Sequence, residues 1–451
     1  MTTTEPRATW GGVLLALPAL LALLALTRLA AAQPLASDGE VVAALRAHAI
    51  PVVQAAADYD PLLASIGDAQ VVMLGEATHG SAEFYDERAR LTQRLITEKG
   101  FRALILEAGW ASATRLDDFV QGKLGDLPPA EAFSRMQSFP RWVWRNREFA
   151  AFLARLKAIN DAAPAGEPRV SIHGMDLYGV PEAVAEVVHH LQRRDPAEAR
   201  RARRDYRCFA PYSRAQLDPQ LYGRDLARAA IPSCARQVER RRAAMERRAE
   251  GDPAAFSAMM SARSLVAAEA YYRLLYSEGA LVSWNSRERF LAETLRRLRE
   301  RHGKVVVWAH NTHQGDARAS AQADVGELSL GQLMREEYGE GAYLVGLTTY
   351  RGSVRAATGW ATPDRRRKLR PAVAGSWSHL LQQTGMANFL LIFRQNEELI
   401  DQLDVRRLDR AVGVSYLPEA EIENHYSLSL PARRFDALIH LGVTQAVTPL
   451  P

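Results

Sequence analysis

Short apolar runs alternate with helical patterns along most of the chain, and this alternation constrains the fold more than any other feature. The runs are four to five residues long, which suits strands better than helices. They lie at 71–74, 103–106, 170–173, 305–308, 343–347, 389–392 and 437–440. Strands that are apolar on both faces need cover on both sides, so the runs indicate buried parallel strands. We therefore predict the α/β class, with a mainly parallel sheet flanked by helices.

One long segment, 181–278, interrupts this alternation. It contains no convincing strand, it is rich in Ala, Arg, Glu and Leu, and several prolines divide it. The pattern predicts a helical insertion of several helices. No Gly/Ser-rich linker separates it from its surroundings. We therefore expect the insertion to belong to a single α/β domain.

The N-terminus has the pattern of a secretory signal peptide. Arg7 precedes an apolar stretch at 10–26, and Ala30-Ala31-Ala32 follows. A positive segment, an apolar segment and a small-residue cleavage site predict a signal peptide over 1–32, cleaved after Ala32. The alternative is an uncleaved anchor, although Pro18 interrupts a stretch that is short for a membrane span. We expect an exported protein, periplasmic or secreted, without stable membrane association after cleavage.

The two cysteines, Cys208 and Cys234, both lie in the predicted insertion. In an oxidising compartment such a pair is a candidate disulfide. It would contribute about 3 kcal/mol under the loop-entropy account. The alternative is two buried free thiols.

The charge of the chain gives little indication of a charged partner. The net charge of +5 comes from 57 basic and 52 acidic residues. The densest basic runs, 193–207 and 236–248, are interleaved with Glu and Ala, as on solvated helix faces. No nucleic-acid-binding motif accompanies them. We expect a small-molecule substrate and no nucleic-acid partner.

Acids and imidazoles follow four of the predicted strands. In an open parallel sheet, ligands bind outside the carboxyl ends of the strands, so these side chains are expected to share one site. The loop that follows the strand at 71–74 reads Gly75-Glu76-Ala77-Thr78-His79-Gly80. The other strand ends carry Glu107, Asp176, and the sequence His310-Asn311-Thr312-His313.

The chemistry of these residues assigns their expected roles. A histidine side chain can take a proton from water near neutral pH, so His79 is the expected general base. Glu76 or Glu107 could accept a hydrogen bond from its other ring nitrogen and orient it. Arg88 cannot act as a base. It could pair with an acid or stabilise an oxyanion, or it could be a surface residue.

The sequence lacks the motifs of other common catalytic designs. No Gly-x-Ser-x-Gly elbow, phosphate-binding loop or Gly-x-Gly-x-x-Gly follows a strand. The cysteines lie away from the strand ends. Two classes remain, which are water activation without a metal and a metal centre. The candidate metal ligands are Glu76, His79, Glu107, His310 and His313, but His-Glu-x-x-His is absent.

The motifs together resemble the erythromycin esterase family. The resemblance rests on the loop at 75–80, then Arg88 and Glu107, and on the block Trp308-Ala309-His310-Asn311-Thr312-His313. Weaker similarity runs through 174–176, 284–288, 343–352 and 435–441. It implies an EreA/ChaN-like α/β domain over 38–451 and hydrolysis of an ester or macrolide lactone without a cofactor.

The resemblance also implies the site residues. His79 matches the general base, and Glu76, Glu107, Arg88, His310 and His313 match the other active-site positions. We expect Asp176, Asn311 and His425 to bind substrate, although a structural role for His425 is equally possible. A metal-dependent hydrolase and a non-catalytic, haem-binding-like protein stay as alternatives. Esterases that inactivate an antibiotic are typically cytoplasmic, so the expected export argues against a simple role in antibiotic resistance. The resemblance therefore does not identify the substrate.

Overall fold

The fold is described from a computed structural model. It describes residues 36–53, 55–137, 139–212, 220–248 and 252–450. The predicted signal peptide over 1–32 lies outside these residues. No helix in the described part of the chain is long and apolar enough to cross a membrane.

The centre of the molecule is a nine-stranded sheet in which the strand order is β1-β8-β11-β6-β2-β5-β3-β4, with β7 paired to β6. The strands from β11 to β4 in this order run parallel to their neighbours. A separate antiparallel pair joins β9 and β10. The strands are β1 (Ile50–Pro51), β2 (Val71–Leu74), β3 (Ala103–Gly109), β4 (Ser171–Asp176), β5 (Val305–Trp308), β6 (Ala342–Ala356), β7 (Arg365–Leu369), β8 (Asn388–Ile392), β9 (Arg407–Arg410), β10 (Tyr426–Ser429) and β11 (Ala437–Thr444).

Each predicted apolar run falls in one of these strands, except that the run at 170–173 begins one residue before β4. The predicted α/β class with a mainly parallel sheet and a long helical insertion is confirmed. The parallel direction that was predicted for the strand at 389–392 was wrong. It forms β8, which is antiparallel to both β1 and β11. A strand buried on both faces has the same apolar sequence in either direction, so the run itself does not encode its direction.

Helices cover both faces of the sheet and join its strands. Gly100, with a φ of 74°, ends the helix Ala82–Lys99 that follows the loop at 75–80. The α-helices are α1 (Asp38–His48), α2 (Asp60–Ile66), α3 (Ala82–Lys99), α4 (Trp110–Val120), α5 (Arg147–Ala162), α6 (Val180–Arg194), α7 (Pro196–Asp205), α8 (Gln220–Ala227), α9 (Ala235–Glu246), α10 (Pro253–Ser277), α11 (Ala280–His302), α12 (Asn311–Gln314), α13 (Ala321–Asp324), α14 (Leu330–Tyr338), α15 (Trp377–Gln382), α16 (Glu397–Gln402), α17 (Glu421–His425) and α18 (Pro431–Arg434).

The helices α6 to α10 fill the region that was predicted to be a helical insertion. A disulfide joins Cys208 and Cys234 within it, with an S–S distance of 2.09 Å. Both cysteines are therefore bonded, which resolves the choice between a disulfide and free thiols in this structure.

Four neighbouring strands of the sheet position the functional side chains. The order β2-β5-β3-β4 places the carboxyl ends of these strands side by side at one edge. The strand β2 is fully buried, which fixes the start of the loop that follows it. The predicted site residues on these strand ends are therefore brought to one edge of the sheet.

Candidate active site

The loop at 75–80 is held in place by backbone hydrogen bonds. His79 N–H donates to the Val412 carbonyl at 3.2 Å, and Val412 N–H donates to the Ala77 carbonyl at 2.8 Å. On the other side, Asn311 N–H donates to the Glu76 carbonyl at 2.9 Å. A catalytic side chain on this loop is thus carried by a fixed backbone rather than by a mobile connection.

The two glycines that bound the loop are required by close packing. A Cβ on Gly75 would lie 2.1 Å from Asn311 Oδ1, and one on Gly80 would lie 2.0 Å from the Arg355 carbonyl oxygen. Both distances are far below van der Waals contact. Only glycine therefore lets the loop approach α12 and β6 this closely.

His79 and Glu76 form a buried carboxylate–imidazole pair. His79 Nδ1 lies 2.8 Å from Glu76 Oε1, and Glu76 Oε2 lies 2.7 Å from Arg88 Nη2. Glu76 is 1% exposed, whereas His79 is 9% exposed and lines a cavity. Since the carboxylate accepts from Nδ1–H, the other ring nitrogen of His79 is left with a lone pair.

Arg88 is not a surface residue, and it does not reach the cavity. Its side chain is fully buried, and its guanidinium lies 4.6 Å from the ring centroids of both Tyr85 and Trp308. It contacts Glu76 from behind. Of the two functional roles considered from sequence, the geometry fits pairing with an acid, and it does not offer Arg88 to an oxyanion in the cavity.

Glu107 lies within β3 rather than after it, at an irregularity of the strand. The pairing of β3 with β4 shifts by one residue between Leu106 and Gly109. A β-bulge of this kind changes the direction in which a side chain points. The Glu107 carboxylate accepts from His310 N–H at 2.8 Å and lies 3.1 Å from His313 Nε2.

His313 is enclosed by two carboxylates. Its Nδ1 lies 2.6 Å from Glu288 Oε1 and its Nε2 lies 3.1 Å from Glu107 Oε1, while Trp284 stacks on the ring. Burial disfavours the charged imidazole, but Glu107 and Glu288 outweigh it and raise the pKa of His313 to about 10. His313 is therefore an imidazolium at neutral pH, with both N–H groups donated to acids.

The charge of His313 decides how a third contact is interpreted. Arg287 Nη1 lies 3.1 Å from His313 Nε2. Both groups are donors when His313 is protonated, so this contact is not a hydrogen bond. Arg287 is held instead by Asp176, at 3.0 Å and 2.5 Å, and by Glu107 at 3.1 Å. Burial opposes ionisation of Glu107, but His313, His79 and Arg287 hold its pKa well below the usual range.

His310 has the opposite electrostatic environment. Burial, assisted by the neighbouring His79, holds the pKa of His310 well below its ordinary value, so this imidazole is neutral. Its Nδ1 accepts from Thr312 N–H at 3.3 Å, which places the ring proton on Nε2. Within the described residues no hydrogen bond of normal geometry reaches this buried Nε2, and the imidazole has only a weaker contact with the Ala77 backbone. The rings of His79 and His310 are 4.8 Å apart.

The residues that were expected to bind substrate are placed differently from one another. Asp176 and His425 line the cavity, although Asp176 is already paired with Arg287. His425 Nε2 accepts from Leu417 N–H at 3.0 Å. Asn311 is not among the lining residues. Its side chain donates to the Leu347 carbonyl at 2.9 Å and packs against Gly75, which is a structural position.

The cavity beside these groups has a volume of about 560 Å³. That volume is in the range of sites for drug-sized molecules. Its floor carries the acids and imidazoles, and much of its wall is aromatic. The aromatic lining residues are Phe139, Trp144, Tyr178, Trp284, Trp360 and Tyr426.

A metal site is not evident in this arrangement. In the ranges that the structure describes, no group of three or more His, Cys, Asp or Glu side chains is placed to hold a metal ion. Both nitrogens of His313 face carboxylates, so neither presents a free lone pair to a cation. Independence from a metal stays a prediction.

Two members of the charged network, Arg287 and Glu288, were not predicted as site residues. Both lie on α11, where Leu291, Leu295 and Leu298 form the buried face. Spacings of three and four residues put Arg287 and Glu288 on that same face. Charged residues that interrupt an apolar stripe at one end of a helix were the pattern that could have revealed them.

Comparison with known proteins gives one family and several similar folds. The family model described as erythromycin esterase matches residues 96–444, a range that begins after the loop at 75–80. A solved structure of a protein from Bacillus cereus is 20% identical, with a TM-score of 0.75, and the match covers 92% of this chain and 100% of that one.

Two further solved structures are similar over most of their length. A succinoglycan biosynthesis protein is 21% identical, with a TM-score of 0.72, and the match covers 91% of this chain and 98% of that one. A mutant of the erythromycin esterase EreC in its open conformation is 15% identical, with a TM-score of 0.64, covering 86% and 94%. At these identities the likeness shows a shared fold.

Proposed function

The chain belongs to the erythromycin esterase family, and on that premise we propose that it hydrolyses a carboxylic ester or a lactone with His79 as the general base. The observation that carries the proposal is the buried Glu76–His79 pair at the floor of the cavity. A carboxylate on Nδ1 fixes the tautomer in which the other nitrogen accepts a proton. It also stabilises the imidazolium that forms.

The proposed reaction uses water as the nucleophile. His79 removes a proton from a water molecule while the water oxygen attacks the carbonyl carbon of the substrate. The tetrahedral intermediate then collapses, the bond to the alcohol oxygen breaks, and the His79 imidazolium returns the proton to that oxygen. The products are a carboxylic acid and an alcohol, or a hydroxy acid when the substrate is a lactone.

His310 and the charged network have separate roles in this proposal. His310 is a neutral imidazole with its proton on Nε2, so it can donate to the carbonyl oxygen as negative charge develops. His313 carries a proton that two acids retain, so it cannot serve as the base at neutral pH. It positions Glu107, which in turn accepts from the backbone of His310.

The proposed substrates are esters or lactones of appreciable size. A structurally similar protein is described as the erythromycin esterase EreC, and the volume of the cavity suits a drug-sized molecule. The aromatic wall supplies apolar surface for such a substrate. A macrolide is therefore one member of the proposed class and belongs in the test panel.

The test is a hydrolysis screen of the purified protein with p-nitrophenyl esters, simple lactones and erythromycin. His79→Ala and Glu76→Gln are compared with the wild type, and circular dichroism confirms that each variant is folded. Loss of a general base costs about 10²–10⁴-fold in kcat, and both variants are expected to fall in that range. Undiminished turnover by folded His79→Ala would overturn the proposed base.

The screen also addresses the alternative of a metal-dependent hydrolase. Activity is measured before and after exhaustive chelation, together with the metal content of the protein. We expect full activity after chelation. Loss of activity that one divalent metal restores would favour the metal centre instead.

We also propose that the chain is exported. The support is the N-terminal pattern, together with the disulfide, which is stable in an oxidising compartment. Mass spectrometry of the protein from cell fractions tests this. A periplasmic or secreted form that begins at Gln33 is expected, and an intact cytoplasmic form would contradict the proposal.

A further inference from the structure

Most charged groups that line the cavity are paired with a partner. Asp176 is paired with Arg287, and Glu107 is paired with His313. Glu327 also lines the cavity and is half-buried. No Lys, Arg or His side chain of the described residues lies within 4.0 Å of its carboxylate. Glu327 is thus a carboxylate in the wall of the cavity without a cationic partner.

The backbone around Glu327 is held on both sides. Asn285 Nδ2 donates to the Gly326 carbonyl at 2.9 Å, and Asn285 Oδ1 accepts from Leu328 N–H at 2.8 Å. Glu327 N–H donates to the Gln322 carbonyl at 2.9 Å. Trp284 Nε1 donates to the Leu328 carbonyl at 2.7 Å, which brings an aromatic ring beside the same segment. The backbone that carries the carboxylate is therefore fixed.

The described charged groups in and beside the cavity are on balance negative at neutral pH. The carboxylates Glu107, Asp176, Glu288 and Glu327 outnumber the cations Arg141, Arg287 and the protonated His313. Burial raises the pKa of Glu327, and the hydrogen bond from the Gln322 side chain offsets only part of that cost of desolvation. A positive group on a ligand would offset this cost.

We infer that Glu327 binds a cationic ammonium group of the substrate, so that the preferred esters or lactones carry a protonated or quaternary amine. Trp284 and Val325 also line the cavity, and the indole of Trp284, which is stacked on His313 through one face, is hydrogen-bonded to the residue after Glu327. An indole ring attracts an ammonium group through cation–π interaction, and Val325 offers apolar contact for its alkyl substituents. This inference rests on the proposed hydrolase.

Arg141 is the competing feature of the same cavity. It lines the cavity and is exposed, and no carboxylate of the described residues lies within 4.0 Å of it. An exposed guanidinium is well solvated and gains little from an anionic ligand. The half-buried Glu327, carried by a fixed backbone, gains more from a cationic partner, so the observations favour a cationic substrate. Preference for an anionic ester would overturn the inference.

The kinetic test uses a matched pair of substrates, acetylthiocholine and its neutral isostere 3,3-dimethylbutyl thioacetate, with an anionic thioester of similar size as a third arm. We expect the wild type to prefer the cationic ester. Glu327→Gln should lower kcat/KM for the cationic ester about tenfold, the order expected for loss of a half-buried ion pair. The same substitution should change kcat/KM for the neutral ester by less than about twofold. Glu300→Gln removes an exposed charge elsewhere on α11 and is the control.

A binding measurement separates this inference from the proposed function. Isothermal titration with tetraethylammonium, against sodium at equal ionic strength, is carried out on the wild type and on Glu327→Gln. Weaker binding by Glu327→Gln supports the site even if no ester is hydrolysed, in which case the hydrolase proposal alone fails. Equal binding by the two proteins, or an equal loss of kcat/KM for cationic and neutral esters, overturns the inference.

Discussion

At the scale of single residues, two histidines that are three positions apart have opposite charge states. Burial acts on both imidazoles and disfavours the charged form. His310 has no carboxylate on its ring nitrogens, and its pKa is depressed. His313 has Glu107 and Glu288 on its two nitrogens, and its pKa is raised to about 10. The neighbours of each ring, rather than its residue type, therefore decide which one can donate as a neutral group.

The charge of His313 predicts an alkaline limit of activity. The wild type should retain activity from neutral pH upward and lose it as the pH rises through about 10, where His313 loses its proton. Glu288→Gln removes one of the acids that stabilise the imidazolium. We expect its alkaline limit to move to lower pH by about one unit or more. The measurement is kcat/KM against pH for both proteins.

The same linkage affects stability with a defined sign. The folded-state pKa of His313 lies above the unfolded value, so its contribution is present in full below about pH 6.5 and is lost as the pH rises through about 10. The fall in the free energy of unfolding should begin near pH 6.5 in both proteins, because it starts at the unfolded-state pKa, but in Glu288→Gln it should end at a lower pH and be smaller in total. Identical alkaline limits in the two proteins would contradict the assigned charge of His313.

At the scale of elements, the disulfide constrains the helical insertion apart from the site. Cys208 and Cys234 are 26 positions apart, and neither lines the cavity. Closing a loop of this length stabilises a protein by about 3 kcal/mol. The effect is expected on the stability of the fold rather than on the chemistry of the site.

Replacing both cysteines tests this separation. The double variant Cys208→Ser with Cys234→Ser should unfold at a lower denaturant concentration, with a loss of about 2–4 kcal/mol in the free energy of unfolding. Its kcat at low temperature should match that of the wild type. A folded double variant with lowered kcat and unchanged stability would show that the insertion acts on the site instead.

The elements were predictable from sequence to different extents. The run Val71–Leu74 forms β2 with the predicted bounds, because four buried residues between turns leave little choice. The predicted strand end at Glu107 is instead a bulge within β3. The bulge depends on the pairing with β4, which a single segment of sequence does not encode.

At the scale of the whole molecule, buried neutral histidines make the fold sensitive to acid. His440 is fully buried in β11, beside Phe389, and both of its ring nitrogens lack partners within the described residues. Burial, with a contribution from Arg410, lowers its pKa to about 3. His173 and His302 contact each other at 2.9 Å between their Nε2 atoms, and burial lowers their pKa values to about 3 and about 4.

The sign of this effect is opposite to that of His313. The folded-state pKa of His440 lies below the unfolded value, so stability is full above about pH 6.5 and falls as the pH decreases toward the folded value. As the pH falls from 7.5 to 5, the titration of His440 alone should lower the free energy of unfolding by about 2 kcal/mol.

His440→Leu removes the titrating group while keeping a similar volume. Urea unfolding at pH 7.5 and at pH 5 should show a smaller acid loss in this variant than in the wild type, by about 2 kcal/mol. The variant His379→Leu, at a histidine outside the buried set, serves as a control. Equal acid losses in the wild type and His440→Leu would show that His440 does not contribute to acid sensitivity.

The sequence by itself determined the α/β class, the mainly parallel sheet and the strand end that carries Glu76 and His79. These features are local, because the apolar period sets the type of element, and the residues that follow a strand lie where the strand ends. The two family motifs likewise indicated the chemistry before the fold was known.

Only the tertiary structure decided how the charged groups are partnered. Arg287 forms hydrogen bonds with Asp176, which is 111 positions away in the sequence, and with Glu107, which is 180 positions away. Arg88 is enclosed behind Glu76, and His313 is charged while His310 is neutral. Contacts between residues so far apart, and the desolvation that sets each pKa, are produced by packing. No local pattern of the sequence specifies them, and the order of the strands finally assembles them at one edge of the sheet.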